Sequence, residues 1–199
     1  MRGRKLELEH FLSQHGVDIC FLSETFLNPR QAFRLANYVC HRKERPTAGG
    51  GTAILVRHGI VHHSVSVAGL THLQATATQI ILAGRPVKIL AAYFSPSRPL
   101  IGEDLTACLG GGLPALMTGD LNAKHVDRNS GLNTRRGKLL RDYADENSCQ
   151  IFGCLGYRDG EGPPVPGVSH FVLCTKLGPP PGTHRNCVSH ILSTPTGTP

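Results

Sequence analysis

The sequence predicts an α/β or α+β domain, and three observations carry that reading. Val17-Asp18-Ile19-Cys20-Phe21-Leu22-Ser23 is short, rich in strand formers and apolar on both faces, as a strand covered from both sides requires. Gln74 to Leu82 alternates and is separated from Val87 to Phe94 by Ala83-Gly84-Arg85-Pro86, which together read as a hairpin. Leu8, Phe11, Leu12 and His15 fall at i, i+3, i+4 and i+7, and Gly16 follows as a left-handed stop, so the chain opens on a helix.

The remaining elements follow in order. Residues 28 to 51 are polar and broken by Pro29, Pro46 and Gly49-Gly50-Gly51, which predicts a surface excursion carrying the basic residues Arg42, Lys43 and Arg45. A strand is expected over Thr52 to Arg57, and a short helix over Glu103 to Leu109. Pro114 to Thr118 reads as a buried strand that delivers Gly119-Asp120-Leu121-Asn122 at its carboxyl end. Thr134 is placed to cap a helix running to about Asn147, with Leu140, Tyr143 and Ala144 as its packing face, before a last strand at Cys149 to Phe152. From Gly162 to the end the chain has eight of its fourteen prolines and no Asp or Glu, so residues 156–199 are expected to be an irregular Pro/Gly-rich tail behind a domain at 1–155.

At 199 residues the chain has the size of one domain able to bury a two-layer core. Its net charge of +7 points to an anionic partner, nucleic acid first. Seven cysteines without a C-x-x-C pair argue for reduced thiols and an intracellular setting, nuclear if genomic DNA is the target. No apolar run approaches the ~20 residues of a membrane span, so no membrane partner is expected, and the chain is read as a soluble monomer.

Three strand ends carry candidate chemistry. Glu24 follows a fully apolar strand, where a carboxylate faces the ligand crevice of an open sheet, although most such residues are solvated loop acids. Asp120 and Asn122 are two apart at the end of a second buried strand, so extended backbone points both the same way; Gly-Asp-x-Asn also makes ordinary turns. Tyr93 ends a third strand, where a buried tyrosine with a capped hydroxyl is the commoner explanation.

Leu22-Ser23-Glu24-Thr25, Gly49-Gly50-Gly51-Thr52-Ala53-Ile54, Ala92-Tyr93-Phe94-Ser95-Pro96 and Thr118-Gly119-Asp120-Leu121-Asn122-Ala123-Lys124 occur in the order seen in non-LTR retrotransposon endonucleases. Over roughly residues 3 to 153 the chain resembles that jockey-like branch of the endonuclease/exonuclease/phosphatase superfamily. The resemblance implies a four-layer sandwich of two mixed sheets flanked by helices, and Mg²⁺- or Mn²⁺-dependent nicking of DNA that primes reverse transcription by a fused or separate reverse transcriptase. Carried over residue by residue, it implies Glu24 as metal ligand, Tyr93 at the scissile phosphate, Asp120 orienting the attacking water and Asn122 contacting the phosphate. Lys124 joins Arg42, Lys43 and Arg45 as an expected nucleic-acid contact.

The pattern departs from the family at both ends. The family's first strand, bearing an asparagine, is not matched before Glu24, and the last acid is Glu161, so a late Asp-His pair is not matched either; Val188-Ser189-His190 supplies a histidine alone. The expectation is therefore a fold incomplete at its first and last strands and an impaired enzyme, with an inactive nucleic-acid-binding remnant as the alternative. A superfamily phosphatase fits less well, since no tryptophan precedes Gly119-Asp120 and Ala123-Lys124 follows Asn122. Gly131 to Lys138 has one residue too many for a phosphate loop and Leu139 in place of its Ser/Thr, and His58 and His62 read as surface histidines.

Overall fold

A computed structural model of the chain describes residues 4–27, 30, 32–43, 50–126, 132–153 and 170–175. In chain order these form α1 (Lys5–Gln14), β1 (Ile19–Ser23), β2 (Tyr38–Lys43), β3 (Thr52–Arg57), β4 (His62–Val65), β5 (Gln74–Leu82) and β6 (Arg85–Tyr93). There follow α2 (Gly102–Leu109), β7 (Ala115–Asp120), α3 (Arg135–Glu146), β8 (Cys149–Gly153) and β9 (His170–Thr175).

Two sheets result. The smaller is antiparallel in the order β1-β3-β2, and the larger is mixed in the order β4-β5-β6-β7-β9-β8. Among the described strands only β6 and β7 are parallel neighbours, as expected of a pair joined by a crossover helix, here α2. The β5–β6 hairpin turns on Ala83 and Gly84, both left-handed, so Arg85 and Pro86 already belong to the strand.

Alternation of side chains builds three apolar layers from these strands. Cys20, Leu22, Ala53 and Leu55 pack with Leu8 and Leu12 of α1. Phe21, Ile54 and Val56 face Ile80, Val87, Ile89 and Ala91 across the gap between the sheets. Leu90, Ala92, Ala115 and Met117 bury against Leu105 and Cys108 of α2 and Leu140 and Tyr143 of α3. The order is helix, sheet, sheet, helices, the four-layer sandwich that the resemblance implied.

Three strands lie where none was expected. β2 and β4 are short strands at sheet edges with no fully buried residue, so apolar periodicity does not mark them. Arg42 and Lys43 are consequently the last residues of β2 rather than loop residues. His62 sits in β4 with its ring edge-on to His41 at 4.9 Å, which corrects the reading of it as a plain surface histidine. The third, β9, corrects the expectation of an irregular tail that leaves the second sheet open: it pairs antiparallel with both β7 and β8. Its sequence, His-Phe-Val-Leu-Cys-Thr, has strand-forming residue types that the surrounding prolines and glycines obscure.

One glycine governs how closely β6 and β7 approach. A Cβ built at Gly119 would lie 1.7 Å from the carbonyl oxygen of Ala92, its register partner on β6. No rotamer change relieves a collision with backbone. Gly119→Ala is therefore expected to destabilise the fold by about 3 kcal/mol, the upper part of the overpacking range. Urea unfolding of the variant measures this, and a midpoint equal to that of the native sequence would show that the two strands separate freely.

Candidate active site

The strand ends that carry Glu24, Tyr93 and Asp120 meet at one edge of the sandwich. Ser23 closes β1 on the inter-sheet side, and its Oγ donates to the carbonyl oxygen of Ala92 across the gap at 3.0 Å. The neighbouring strands β5 and β3 are tied in the same way: the hydroxyls of Thr52 and Thr76 lie 2.8 Å apart, and Thr76 Oγ1 also donates to the carbonyl of Thr52. These bonds fix the ends of the two sheets against one another.

Plain strand alternation would turn Glu24 toward α1, as it does Leu22. Instead Glu24 is left-handed, with φ 52°, and so is Phe26, with φ 49°. Such backbone costs a bulky residue on the order of 1 kcal/mol or more, and it persists only where neighbours impose it. Gly50 and Gly51 are those neighbours: their carbonyls accept the N–H groups of Phe26 and Thr25, while Gly51 N–H donates to Gln74 Oε1 at 2.8 Å. A Cβ at Gly51 would meet Thr25 Oγ1 at 2.6 Å and one at Gly50 would meet Gln74 Oε1 at 2.6 Å, which accounts for the glycine run.

Asp120 ends β7 directly beside Tyr93 in the β6–β7 register. Its Oδ1 accepts the backbone N–H of Asn122 at 2.9 Å, and its carbonyl accepts that of Phe94. Asn122 is left-handed, with φ 48°, a conformation asparagine tolerates. One hydrogen of its side-chain amide is committed to the Phe94 carbonyl through Nδ2 at 3.0 Å, which orients the group and leaves the second hydrogen for another acceptor. Tyr93 is buried, between Gln74 on β5 and Asp120 on β7 as cross-strand neighbours.

The electrostatics tie the two sheets together as well. Burial pushes the Asp120 carboxyl from 3.8 up to about 6, and the negative charge of Glu24 adds to the rise; the Asn122 N–H and the Lys124 ammonium work against it. Glu24 thus acts on Asp120 although 96 residues and a sheet boundary separate them.

Glu24, Tyr93, Asp120, Asn122 and Lys124 all belong to this neighbourhood. Lys43 closes β2 opposite Thr52, next to the glycine loop, while Arg42 pairs with Ala53, whose side chain is on the α1 side, so the two basic residues do not share a face. Arg45 and His190 lie outside the described residues. Ser23, Gln74 and Arg136 were not singled out by sequence reasoning. A polar residue closing an apolar strand, a glutamine opening an alternating one and an arginine in the first turn of a helix are the signals each leaves.

Among the described residues no group of three or more His, Cys, Asp and Glu forms, so a soft or imidazole-rich metal centre is not assembled there. Two repelling carboxylates at a partly open edge do fit a hard divalent cation, which takes one or two carboxylates and keeps several waters.

Known proteins resemble the chain in both sequence and fold. A family model described as Endonuclease/Exonuclease/phosphatase family matches residues 1–197. The RNA-directed DNA polymerase from mobile element jockey is 30% identical over 150 residues in Drosophila funebris and 24% identical over 148 in Drosophila melanogaster, each covering 73% of this chain. The chain spans only 16% of the length of those relatives. Among solved structures, the endonuclease domain of TRAS1, a telomere-specific non-LTR retrotransposon, superposes with a TM-score of 0.65 at 18% identity, covering 86% of this chain and 79% of that one. An endonuclease/exonuclease/phosphatase family protein from Leptotrichia buccalis gives 0.57 at 11% identity, covering 87% and 83%.

The raised carboxyl has a consequence for stability. The folded protein holds the Asp120 proton more tightly than the unfolded chain does, so a penalty grows as pH rises from about 4 and is complete above about 6. Asp120→Asn removes it and keeps an oxygen for the Asn122 N–H. The variant should be about 2 kcal/mol more stable than the native sequence at pH 7, allowing for partial solvent screening, and equal to it near pH 3.5. Chemical denaturation at the two pH values, without divalent cation, measures this; a difference independent of pH would refute the assigned cause.

Proposed function

The chain belongs to the endonuclease/exonuclease/phosphatase family, and from that premise we propose that it is a divalent-metal-dependent DNA endonuclease. The observation that carries the reading is the opposition of Glu24 and Asp120, from different sheets, beside an oriented amide and a buried tyrosine. Phosphodiester hydrolysis asks for this mixture: acid groups for metal and proton, neutral donors for the oxyanion.

In this proposal Glu24 would hold Mg²⁺ or Mn²⁺, with Asp120 close by, and a cation bound there would neutralise charge that gathers on the phosphate. Asp120, ionised above about pH 6, accepts a proton from the attacking water, and its bond from the Asn122 N–H keeps the carboxylate in one orientation. The uncommitted hydrogen of the Asn122 amide and the phenol of Tyr93 donate to phosphoryl oxygens, which suits groups that cannot compete for the metal. Lys124 and Lys43 flank the strand ends and neutralise neighbouring phosphates on the DNA backbone.

The relatives' names add the setting. They are RNA-directed DNA polymerases of mobile elements, so within a longer polypeptide of that kind the nick would supply the primer for reverse transcription in the nucleus. That role is part of the proposal. So is a division of the chain into a catalytic unit at 1–155 and a following segment from which β9 returns to the sheet.

Nicking of supercoiled plasmid tests the reading. The chain should convert supercoiled to open circular DNA only with Mg²⁺ or Mn²⁺, and EDTA should abolish the conversion. Glu24→Ala and Asp120→Asn should each lower the rate by ~10²–10⁴, the span of a lost acid–base or metal-binding group. Nicking that survives EDTA or either substitution would sink the assignment. DNA binding without any nicking would favour an inactive nucleic-acid-binding remnant instead.

A further inference from the structure

The first turn of α3 carries Arg135, Arg136 and Lys138 and no acidic residue. Cations there face the positive end of the helix macrodipole, an unfavourable arrangement that carries an energetic cost. Arg136 has a structural return for that cost. Its Nη2 donates to the carbonyl oxygens of both Pro96 and Arg98, and its guanidinium lies over the Phe94 ring, 5.1 Å from the centroid. It therefore clamps the whole turn that leaves β6.

Phe94 is the residue through which this clamp reaches the site. Its N–H donates to the Asp120 carbonyl and its own carbonyl accepts Asn122 Nδ2, while Tyr93 immediately precedes it. Leu121 and Ala123, on either side of Asn122, are buried in the core that also holds Phe94. Three of the four residues assigned to hydrolysis are thus bonded or covalently linked to one phenylalanine, and Arg136 holds that phenylalanine from outside.

We propose that Arg136 is a positioning residue for the hydrolytic step, acting through Phe94 on Asn122 and Tyr93 and not by touching DNA. The proposal rests on the nuclease reading above. Both bonds leave Nη2, whose two hydrogens are held in the guanidinium plane that lies over the Phe94 ring; a tetrahedral, strongly hydrated ammonium on a flexible stem does not reproduce that fixed geometry. A displacement of about 1 Å at a reacting group costs on the order of 10²-fold in rate, so loosening the clamp should lower turnover without weakening DNA binding.

Three variants of the full chain test this: Arg136→Ala, Arg136→Lys and, as a control of equal charge one residue away, Arg135→Ala. In plasmid nicking, Arg136→Ala and Arg136→Lys should each lower kcat about 10- to 100-fold with KM within about two-fold, and Arg135→Ala should leave kcat unchanged. Arg136→Lys keeps the charge, so it stands in if Arg136→Ala does not fold. A wild-type kcat in Arg136→Lys, or an effect confined to KM, would overturn the proposal and make Arg136 a phosphate contact or a surface residue. A second readout does not depend on activity: the side-chain amide protons of Asn122, followed by nuclear magnetic resonance, should shift and exchange faster in Arg136→Lys. If the unaltered chain fails to nick DNA, the nuclease reading fails alone, and an unchanged Asn122 amide in Arg136→Lys overturns the positioning claim.

Discussion

The carbonyl oxygen of Ala92 is where the two sheets and the third site strand come together. Ser23 Oγ reaches it across the inter-sheet gap at 3.0 Å, and Gly119 passes so close that no side chain fits between. The residue after each of these three is a candidate catalytic group: Glu24 after Ser23, Tyr93 after Ala92, Asp120 after Gly119. A hydrogen bond of this kind contributes only about 1 kcal/mol net to stability, so its importance lies in registration more than in energy. It fixes how far the end of one sheet slides over the other, and with that the separation of the two carboxylates.

The site built on this junction is held in an unfavourable state by the rest of the molecule. Glu24 and Phe26 are left-handed without being glycine, and Asp120 is partly buried with a like charge facing it. Each feature costs on the order of 1 to 3 kcal/mol, and three apolar layers offset them. The arrangement makes chemical sense if a cation and a phosphodiester occupy the edge. A cation there would lessen the repulsion between the two carboxylates, and a phosphate would accept the uncommitted hydrogen of the Asn122 amide. Strain and repulsion would then belong to a site prepared for ligands.

Much of this was legible in the sequence where burial is one-sided or complete. β5 and β6 alternate or run apolar and were read as a hairpin, and Thr134 does cap α3, its hydroxyl accepting from Gly137 N–H at 3.1 Å. The edges were not legible. His41, Arg42 and Lys43 make β2 look like loop because an edge strand needs little apolar content, and β4 is only four residues long. β9 is hidden because composition averaged over the proline-rich tail masks a six-residue strand whose strand formers are Phe171, Val172 and Thr175. Within the site, Glu24, Asp120 and Asn122 stand out as residue types at strand ends. The left-handed turn that aims Glu24, the Ser23–Ala92 bond and the Arg136 clamp are long-range, and a linear reading has no access to which carbonyl a side chain will meet.

Glu24 and Asp120, brought from separate sheets, interact electrostatically, the charge of Glu24 adding to the rise of the Asp120 carboxyl. Titration of the Asp120 side-chain carboxyl, followed by carbon-13 resonance without divalent cation, tests this interaction most directly in the native sequence and in Glu24→Gln. The midpoint should lie near 6 in the native sequence and lower in Glu24→Gln, because the neutral amide no longer opposes ionisation of Asp120 while burial still does. An Asp120 midpoint that does not move when Glu24 is neutralised would mean that the two carboxylates do not share a site.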